Sequence, residues 1–264
     1  MNIVKRELKA NLKSIIIWNV SMIFLILLWI VKFETFAGNP QINEFLESIP
    51  KAMLDGLGMS GINFDSLGGY VSALAFYLYL ILGIHAVLLG SSTIAKEERD
   101  RTAEYLFSLP ISRKKVVLSK TIAAIINMMV LNIVTLITTI ISGIKHEKAD
   151  DYYKFIVLLF IAIFIVQMIF LSIGMLVASI NKKYKKSGNI SVSILMIMFI
   201  LATLINMVDK VDFLKYLTPF KYFDASYISE QLKIEPIFIV ISILIIGVGI
   251  GGTLIIYPKR DLYI

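Results

Sequence analysis

The sequence predicts an all-α, polytopic membrane protein with six transmembrane helices, in a single membrane domain that covers 1–264. Hydrophobic residues form 58% of the chain and charged residues 17%, so the apolar share is above that of ordinary soluble domains. The mean hydropathy is +0.81. The apolar residues fall in long runs, and a helix needs about 20 of them to cross a bilayer. Basic residues are concentrated in alternate connecting segments, as in chains that cross a membrane repeatedly.

Residues 1–13 predict a short, basic amphipathic helix at the membrane surface. Val4, Leu8 and Leu12 recur every four residues, and four basic side chains lie on the other side. Such a helix suits an anionic membrane surface; a charged, poorly ordered leader is the alternative. We do not expect a cleaved signal peptide, because the apolar run that follows is long and Trp29 marks a membrane interface.

Six apolar runs are expected to form the transmembrane helices. None contains Asp, Glu, Lys or Arg, which cost about 2.5–3.5 kcal/mol each at the bilayer centre. Between the first two runs, 33–69 predicts one or two short amphipathic helices at the outer surface, followed by turns rich in glycine. The spans are expected at about 14–31, 70–93, 121–144, 155–180, 189–208 and 236–257.

The distribution of basic residues predicts that both termini are cytoplasmic. With six spans, the N-terminus, 94–120, 181–188 and the tail lie on one side, which holds 17 of the 26 Lys and Arg residues. The same side holds only 6 of the 19 acidic residues. Because cytoplasmic loops are enriched in Lys and Arg and face anionic lipid, the net charge of +7 requires no nucleic-acid partner.

The spans hold few groups that could carry protons or ions. His85 is the ionisable side chain well inside a span, and we interpret it as a packing residue, with a proton relay as the alternative. Gly247 and Gly251 form a small-x-x-x-small pair that favours helix packing. The milder polar side chains, which join helices or line a path, are Asn127, Asn132, Thr135, Thr138, Thr139 and Gln167.

Catalytic and metal-binding motifs are absent from the sequence. His146-Glu147 lacks the second histidine of a zinc site of the His-Glu-x-x-His type, and no Gly-x-Ser-x-Gly or Walker-type loop occurs. Glu97-Glu98 resembles the paired glutamates of some intramembrane proteases, but no histidine is placed to complete a metal site. We therefore expect no catalytic, metal or cofactor-binding residues in this chain.

The segment 94–120 is the most charged part of the chain, with seven basic and four acidic residues between two apolar spans. Leu106 and Phe107 fall on one helical face. Pro110 disfavours helix at the residue before it, and Ser112 can cap the next helix. A short amphipathic helix held at the membrane surface can transmit force from a soluble partner; a solvated loop is the alternative.

Three motifs stand out in this segment: Glu97, Thr102-x-Glu104 and Leu109-Pro110-x-Ser112-Arg113. Together they resemble the signature of membrane subunits of ATP-binding-cassette (ABC) transporters of the type-2 exporter class. The chain departs from that pattern at Arg101, where many members carry glycine. The six-span plan, the basic start, the long first outer loop and the segment 216–223 also match, so the resemblance covers nearly the whole chain.

The resemblance implies that 94–120 carries a coupling helix, which docks in a groove of a separate ATP-hydrolysing subunit. Two permease chains, identical or related, would pair with two such subunits, and ATP with Mg²⁺ would bind only to those subunits. The outer segment before the last span would dip back into the membrane and turn at Pro219 and Phe220. The docking or loop-shaping residues implied by position are Glu97, Glu98, Arg99, Thr102, Glu104, Leu109, Pro110, Ser112 and Arg113.

We therefore expect the permease subunit of an ABC exporter in a bacterial cytoplasmic membrane, acting on a hydrophobic or amphipathic substrate such as a lipid, peptide or drug. Spans without ion-coupling charges and a chain without a nucleotide motif fit an external source of energy. The alternatives are an ion-coupled carrier or channel that works without ATP, an intramembrane enzyme, and a non-transporting anchor or sensor for an ATPase.

Overall fold

The structure, a computed structural model, describes residues 3–59, 61–100, 102, 111–146, 150–181 and 184–260, and this part of the chain is helical without a β-strand. Six helices are long and apolar enough to cross a membrane, which confirms the predicted fold class. Short 3₁₀ turns lie at Asp209–Leu217, Pro219–Lys221 and Tyr257–Lys259. The helices are α1 (Ile3–Val31), α2 (Phe33–Phe36), α3 (Pro40–Ser48), α4 (Lys51–Gly56), α5 (Leu67–Arg99), α6 (Arg113–Gly143), α7 (Asp150–Ile180), α8 (Tyr184–Met207), α9 (Ala225–Gln231) and α10 (Pro236–Ile256).

The first helix, α1, runs without a break, so the surface helix expected over 1–13 is not a separate element. No proline or glycine lies near the expected boundary, and nothing else interrupts the backbone hydrogen bonds there. The predicted apolar face is not the buried one, since Val4 and Leu8 are only partly buried and Leu12 is 54% exposed. The buried side chains form a single stripe along the helix instead: Ile3, Glu7, Ile15, Met22, Ile26 and Ile30.

The central helix is α5, which packs against α7 with the two backbones in contact. A Cβ atom added at Gly90 would lie 2.2 Å from the carbonyl oxygen of Leu171. A Cβ atom at Gly174 would lie 2.3 Å from the carbonyl oxygen of Val87. Small residues allow helices to approach closely in this way, so these two glycines set the spacing of the core.

The glycine pair in the last span does not contribute to packing within the described part of the chain. A Cβ atom at Gly247 or Gly251 would meet nothing within 4 Å. At Gly249 it would lie 2.6 Å from the hydroxyl oxygen of Ser172. Two residues correspond to about 200° around a helix, so α10 packs through the face opposite to the one that the sequence motif indicated.

The connection between α1 and α5 folds back on itself. The short helices α2, α3 and α4 occupy the segment in which one or two amphipathic helices were expected. The side chain of Asn39 caps α3 by accepting a hydrogen bond from the amide of Gln41 at 3.0 Å. The amide of Gly38 donates to Asp65 at 2.9 Å, so the beginning of the connection is tied to its end.

Candidate functional site

The helices α5 and α6 extend past the predicted span ends and frame the segment 100–112. α5 continues to Arg99 and α6 begins at Arg113. Between them the structure describes residues 100, 102 and 111–112. The predicted docking residues that lie outside the described part of the chain are Glu104, Leu109 and Pro110.

Both edges of this segment are held by hydrogen bonds to helix ends. The amide of Thr102 donates to the carbonyl oxygen of Glu97 at 2.9 Å, which satisfies a carbonyl in the last turn of α5. The hydroxyl oxygen of Ser112 accepts from the amide of Lys115 at 3.3 Å and caps α6, as predicted. The segment therefore leaves and re-enters the bundle at defined points.

Three consecutive residues at the end of α5 form ion pairs with three different parts of the chain. The pairs are Lys96–Glu7 at 3.2 Å, Glu97–Lys120, and Glu98–Arg260 at 2.7 Å. Successive residues on an α-helix point about 100° apart, so neighbours in sequence reach α1, α6 and the chain beyond α10 in turn. We call these six side chains the charged base.

The pair between Glu97 and Lys120 is the most deeply buried part of the charged base. The two side chains are 2% and 3% exposed, and the ammonium group of Lys120 also donates to the carbonyl oxygen of Thr93 at 2.8 Å. A buried carboxylate is tolerated when it is paired and hydrogen-bonded. Glu97 was predicted to dock a partner or shape the loop; its burial means that it holds α5 to α6.

The chain beyond α10 ties the ends of three helices together. The guanidinium of Arg260 pairs with Glu98 of α5 and donates to the carbonyl oxygen of Ala178 in α7 at 2.6 Å. The guanidinium of Arg113, at the start of α6, donates to the carbonyl oxygens of Pro258 at 3.2 Å and of Arg260 at 2.8 Å. Glu98 and Arg113 therefore shape the base of the loop rather than its outer surface.

Sequence reasoning did not identify Arg260 or Lys120 as part of the site. In the sequence, both residues contribute only to the excess of Lys and Arg that predicts the cytoplasmic side. The available signal was the neighbouring Glu97-Glu98 pair, since two carboxylates next to an apolar span need cations if helix packing buries them. Which cations these are depends on contacts distant in sequence.

Exposed residues flank the loop on both sides in the described part of the chain. Arg99 and Asp100 pair with each other at 2.9 Å, with side chains 55% and 41% exposed. Ser112 is also exposed. Of the predicted docking residues that the structure describes, Arg99 and Ser112 are therefore the ones open to a partner, while Glu97 and Glu98 are buried and Thr102 and Arg113 are partly buried.

The chain that builds this base matches a known family along almost its whole length. The model of the ABC-2 family transporter protein matches residues 1–262. The chain belongs to the ABC-2 transporter family. No curated protein matches it significantly. Membership confirms the resemblance derived from the loop motifs, and it implies embedding in a membrane and an ABC ATP-binding partner.

In this ABC-2 permease the predicted outer turn is packed between helices. Pro219 and Phe220 are both buried. The ring of Phe220 lies 5.1 Å from that of Phe170 and 5.3 Å from that of Phe199. Phe199 is about 12 Å along α8 from its end at Met207, so the turn reaches well below the ends of the helices.

Some of the polar residues inside the permease spans join helices, whereas Thr135, Thr138 and Thr139 donate to carbonyl oxygens of their own helix. The ring of His85 lies edge-on to that of Trp18 with centroids 4.8 Å apart. The amide nitrogen of Asn132 donates to Gln167 across α6 and α7 at 2.9 Å. Among the described residues, no group of three or more His, Cys, Asp or Glu side chains could hold a metal ion. These contacts match the helix-joining role that such groups have in membranes.

Proposed function

We propose that this chain is the membrane subunit of an ABC exporter and that a separate ATP-hydrolysing subunit docks on 94–120. The observation that carries this proposal is the charged base. The last turns of α5 are ion-paired to α1, to α6 and to the chain beyond α10. A displacement of the loop by a partner is therefore passed to several helices together.

A rigid base is what a coupling element requires. A loop joined to its helices by mobile side chains would absorb a displacement instead of passing it on. Here the pair of Glu97 and Lys120 is buried, and removing one member of such a pair costs about 3–5 kcal/mol. The capped start of α6 and the bonds of Arg113 to the tail add further restraints. ATP and Mg²⁺ would bind to the partner, and closure of the partner subunits would push on the loop.

The proposed arrangement has both termini and 94–120 in the cytoplasm, in a bacterial cytoplasmic membrane. The bias of Lys and Arg toward that side supports this orientation. A second permease chain, identical or related, would complete the transport path. Spans without charged residues favour a hydrophobic or amphipathic substrate, such as a lipid, peptide or drug, and the buried turn at Phe220 would form part of the outer end of the path.

Cross-linking from the loop tests this proposal directly. The chain contains no cysteine, so Ser112→Cys introduces a single thiol at an exposed position beside the loop. In membranes from the native host, a thiol-to-amine cross-linker at this position is expected to capture a subunit that contains an ATP-binding cassette. Mass spectrometry of the cross-linked product identifies that subunit.

The matched control is Ser48→Cys, which is exposed at the end of α3 on the opposite side of the proposed membrane. It is expected to capture no ATP-binding subunit. Capture from residue 48 but not from residue 112 would place the ATP-binding subunit on the side of α3 and would contradict the proposal that it docks on 94–120. Gradient-driven flux through the purified chain without any ATPase would instead support an ion-coupled carrier or channel.

A further inference from the structure

A groove lies between the second half of α1, the folded connection that follows it and the start of α5. Its volume is about 620 Å³, within the range of sites that bind small molecules. Along α1 it extends from Ser21 to Lys32, a distance of about 16 Å. It is therefore a trough beside the end of α1 that is farthest from the charged base.

The walls of this groove are almost entirely apolar. Phe24 and Leu28 line it on α1, and Phe36, Leu46 and Phe64 cover it from the connection. Phe24 is 63% exposed and Leu28 is 54% exposed, so the groove opens sideways along the flank of a spanning helix. A ligand with a long apolar part can enter from the bilayer without passing through water.

The two amphipathic rings in the wall turn their polar atoms away from a ligand. The indole nitrogen of Trp29 donates to the carbonyl oxygen of Tyr70 at 3.2 Å. The hydroxyl of Tyr70 donates to the carbonyl oxygen of Trp29 at 3.0 Å. Because each polar group is satisfied by the backbone of the other residue, the rings present apolar surface to the groove.

A cation lies at one end of the groove. Lys32 follows the last residue of α1 and is exposed, and it is the one charged side chain among the described residues that line the groove. It forms no ion pair with any described residue. An apolar trough that ends at an unpaired ammonium group is complementary to an acyl chain that carries a negatively charged head.

We infer that this groove binds one acyl chain of an anionic membrane lipid, with the phosphate of the headgroup at Lys32. The acyl chain of the lipid lies along α1 against Phe24 and Leu28, and Phe36 and Phe64 cover it. The ammonium group attracts the phosphate and favours an anionic over a zwitterionic headgroup about fivefold, the effect of one lysine near a membrane surface. This binding does not depend on the proposed coupling to ATP, so each proposal can fail without the other.

Tryptophan quenching by brominated lipids tests the inference. The chain has two tryptophans, and Trp18→Phe leaves Trp29, in the groove wall, as the only emitter. In mixed micelles, phosphatidylglycerol with brominated acyl chains is expected to quench Trp29 at about fivefold lower mole fraction than brominated phosphatidylcholine. Contact with bulk lipid alone would give equal quenching by both.

Two substitutions of exposed lysines separate the groove from the general surface charge. Lys32→Gln is expected to remove the preference for phosphatidylglycerol, and Lys51→Gln, on α4 outside the groove, is expected to retain it. Equal quenching by both lipids in the parent, or a preference that survives Lys32→Gln, overturns the inference. So does quenching by neither lipid, as when a second copy of the chain covers the groove. If Trp18→Phe does not fold, native mass spectrometry of the unsubstituted chain and of Lys32→Gln counts the phosphatidylglycerol that each retains.

Discussion

The charges at the end of α5 have roles that change from one residue to the next. Glu97 and Glu98 have side chains that are 2% and 1% exposed, and each has a cation within the chain. Arg99, one residue further on, is exposed and pairs with its neighbour Asp100. Exposed pairs of this kind contribute little to stability, whereas a buried carboxylate that loses its partner is costly. The same short stretch therefore supplies both a structural brace and an accessible surface.

The buried pair predicts a strongly non-additive response to substitution. Lys120→Met is expected to lower the free energy of unfolding by about 3–5 kcal/mol, because it leaves Glu97 buried without a counter-charge. Adding Glu97→Gln removes that charge and is expected to restore most of the loss. Unfolding of the purified variants in detergent measures both effects. A double variant that is as unstable as the sum of the single changes would show that the two residues are not coupled.

The hydrogen bonds of Arg113 are expected to protect the chain beyond α10 from proteolysis. Arg113→Glu replaces the donor to the carbonyl oxygens of Pro258 and Arg260 with an acceptor. Hydrogen bonds from charged groups contribute about 1.5–3 kcal/mol, so trypsin cleavage after Lys259 is expected to become at least about tenfold faster. Lys114→Glu makes the same charge change at an exposed neighbouring position and should leave the rate unchanged. Equal acceleration by both would indicate a general charge effect.

At the level of whole elements, helix spacing depends on where glycines face backbone. Gly90 and Gly174 allow the backbones of α5 and α7 to touch. The helix that leads into the loop, α5, is thereby packed against α7, whose end accepts a hydrogen bond from Arg260. Gly247 and Gly251 share the small-residue spacing, but they lie on an open face of α10. Small residues are thus necessary for close packing, and their spacing alone does not show that it occurs.

Two glycine substitutions test this distinction. Gly90→Ala is expected to lower the free energy of unfolding by about 1–3 kcal/mol, because the new methyl group would overlap the carbonyl oxygen of Leu171. Gly247→Ala adds the same group in open space and is expected to be neutral or to stabilise the helix by about 0.5–1 kcal/mol. Thermal unfolding in detergent compares them. Similar losses for both variants would mean that contact with α7 is not the cause.

For the whole molecule, the important feature is that the ends of the bundle differ in chemistry. One end carries the charged base and the chain beyond α10. The other carries the folded connection, the apolar groove with Lys32 at its mouth and the buried turn at Phe220. This asymmetry fits a permease that receives force at one side and meets its substrate or lipid environment at the other.

Cysteine labelling of intact cells tests the proposed orientation. Lys51→Cys and Lys114→Cys place single thiols at exposed positions on opposite sides of the proposed membrane. A membrane-impermeant maleimide is expected to label residue 51 in intact cells and residue 114 only after the cells are opened. Labelling of residue 114 in intact cells would reverse the topology and place the loop outside.

The hydropathy pattern was sufficient for the six helices, and the residues around Pro110 were sufficient for the cap at Ser112, because each depends on residues close together in the chain. The family came from the resemblance of the loop motifs to a known signature, which the family match confirms. The positions of the docking loop and the outer turn came from short motifs of the same kind. Burial was not predictable in this way: nothing local distinguishes Glu97 from Arg99, or Gly247 from Gly249.

Only the tertiary structure decided that Glu97 faces Lys120, that Arg260 closes the base, and that Trp29 and Tyr70 satisfy each other in the wall of a groove. The physical reason is that each of these contacts depends on the direction of a side chain around its helix and on what a distant segment places opposite it. Composition and periodicity determine that a helix spans the membrane; the packing of the other helices determines which of its faces is buried and which remains available to a partner.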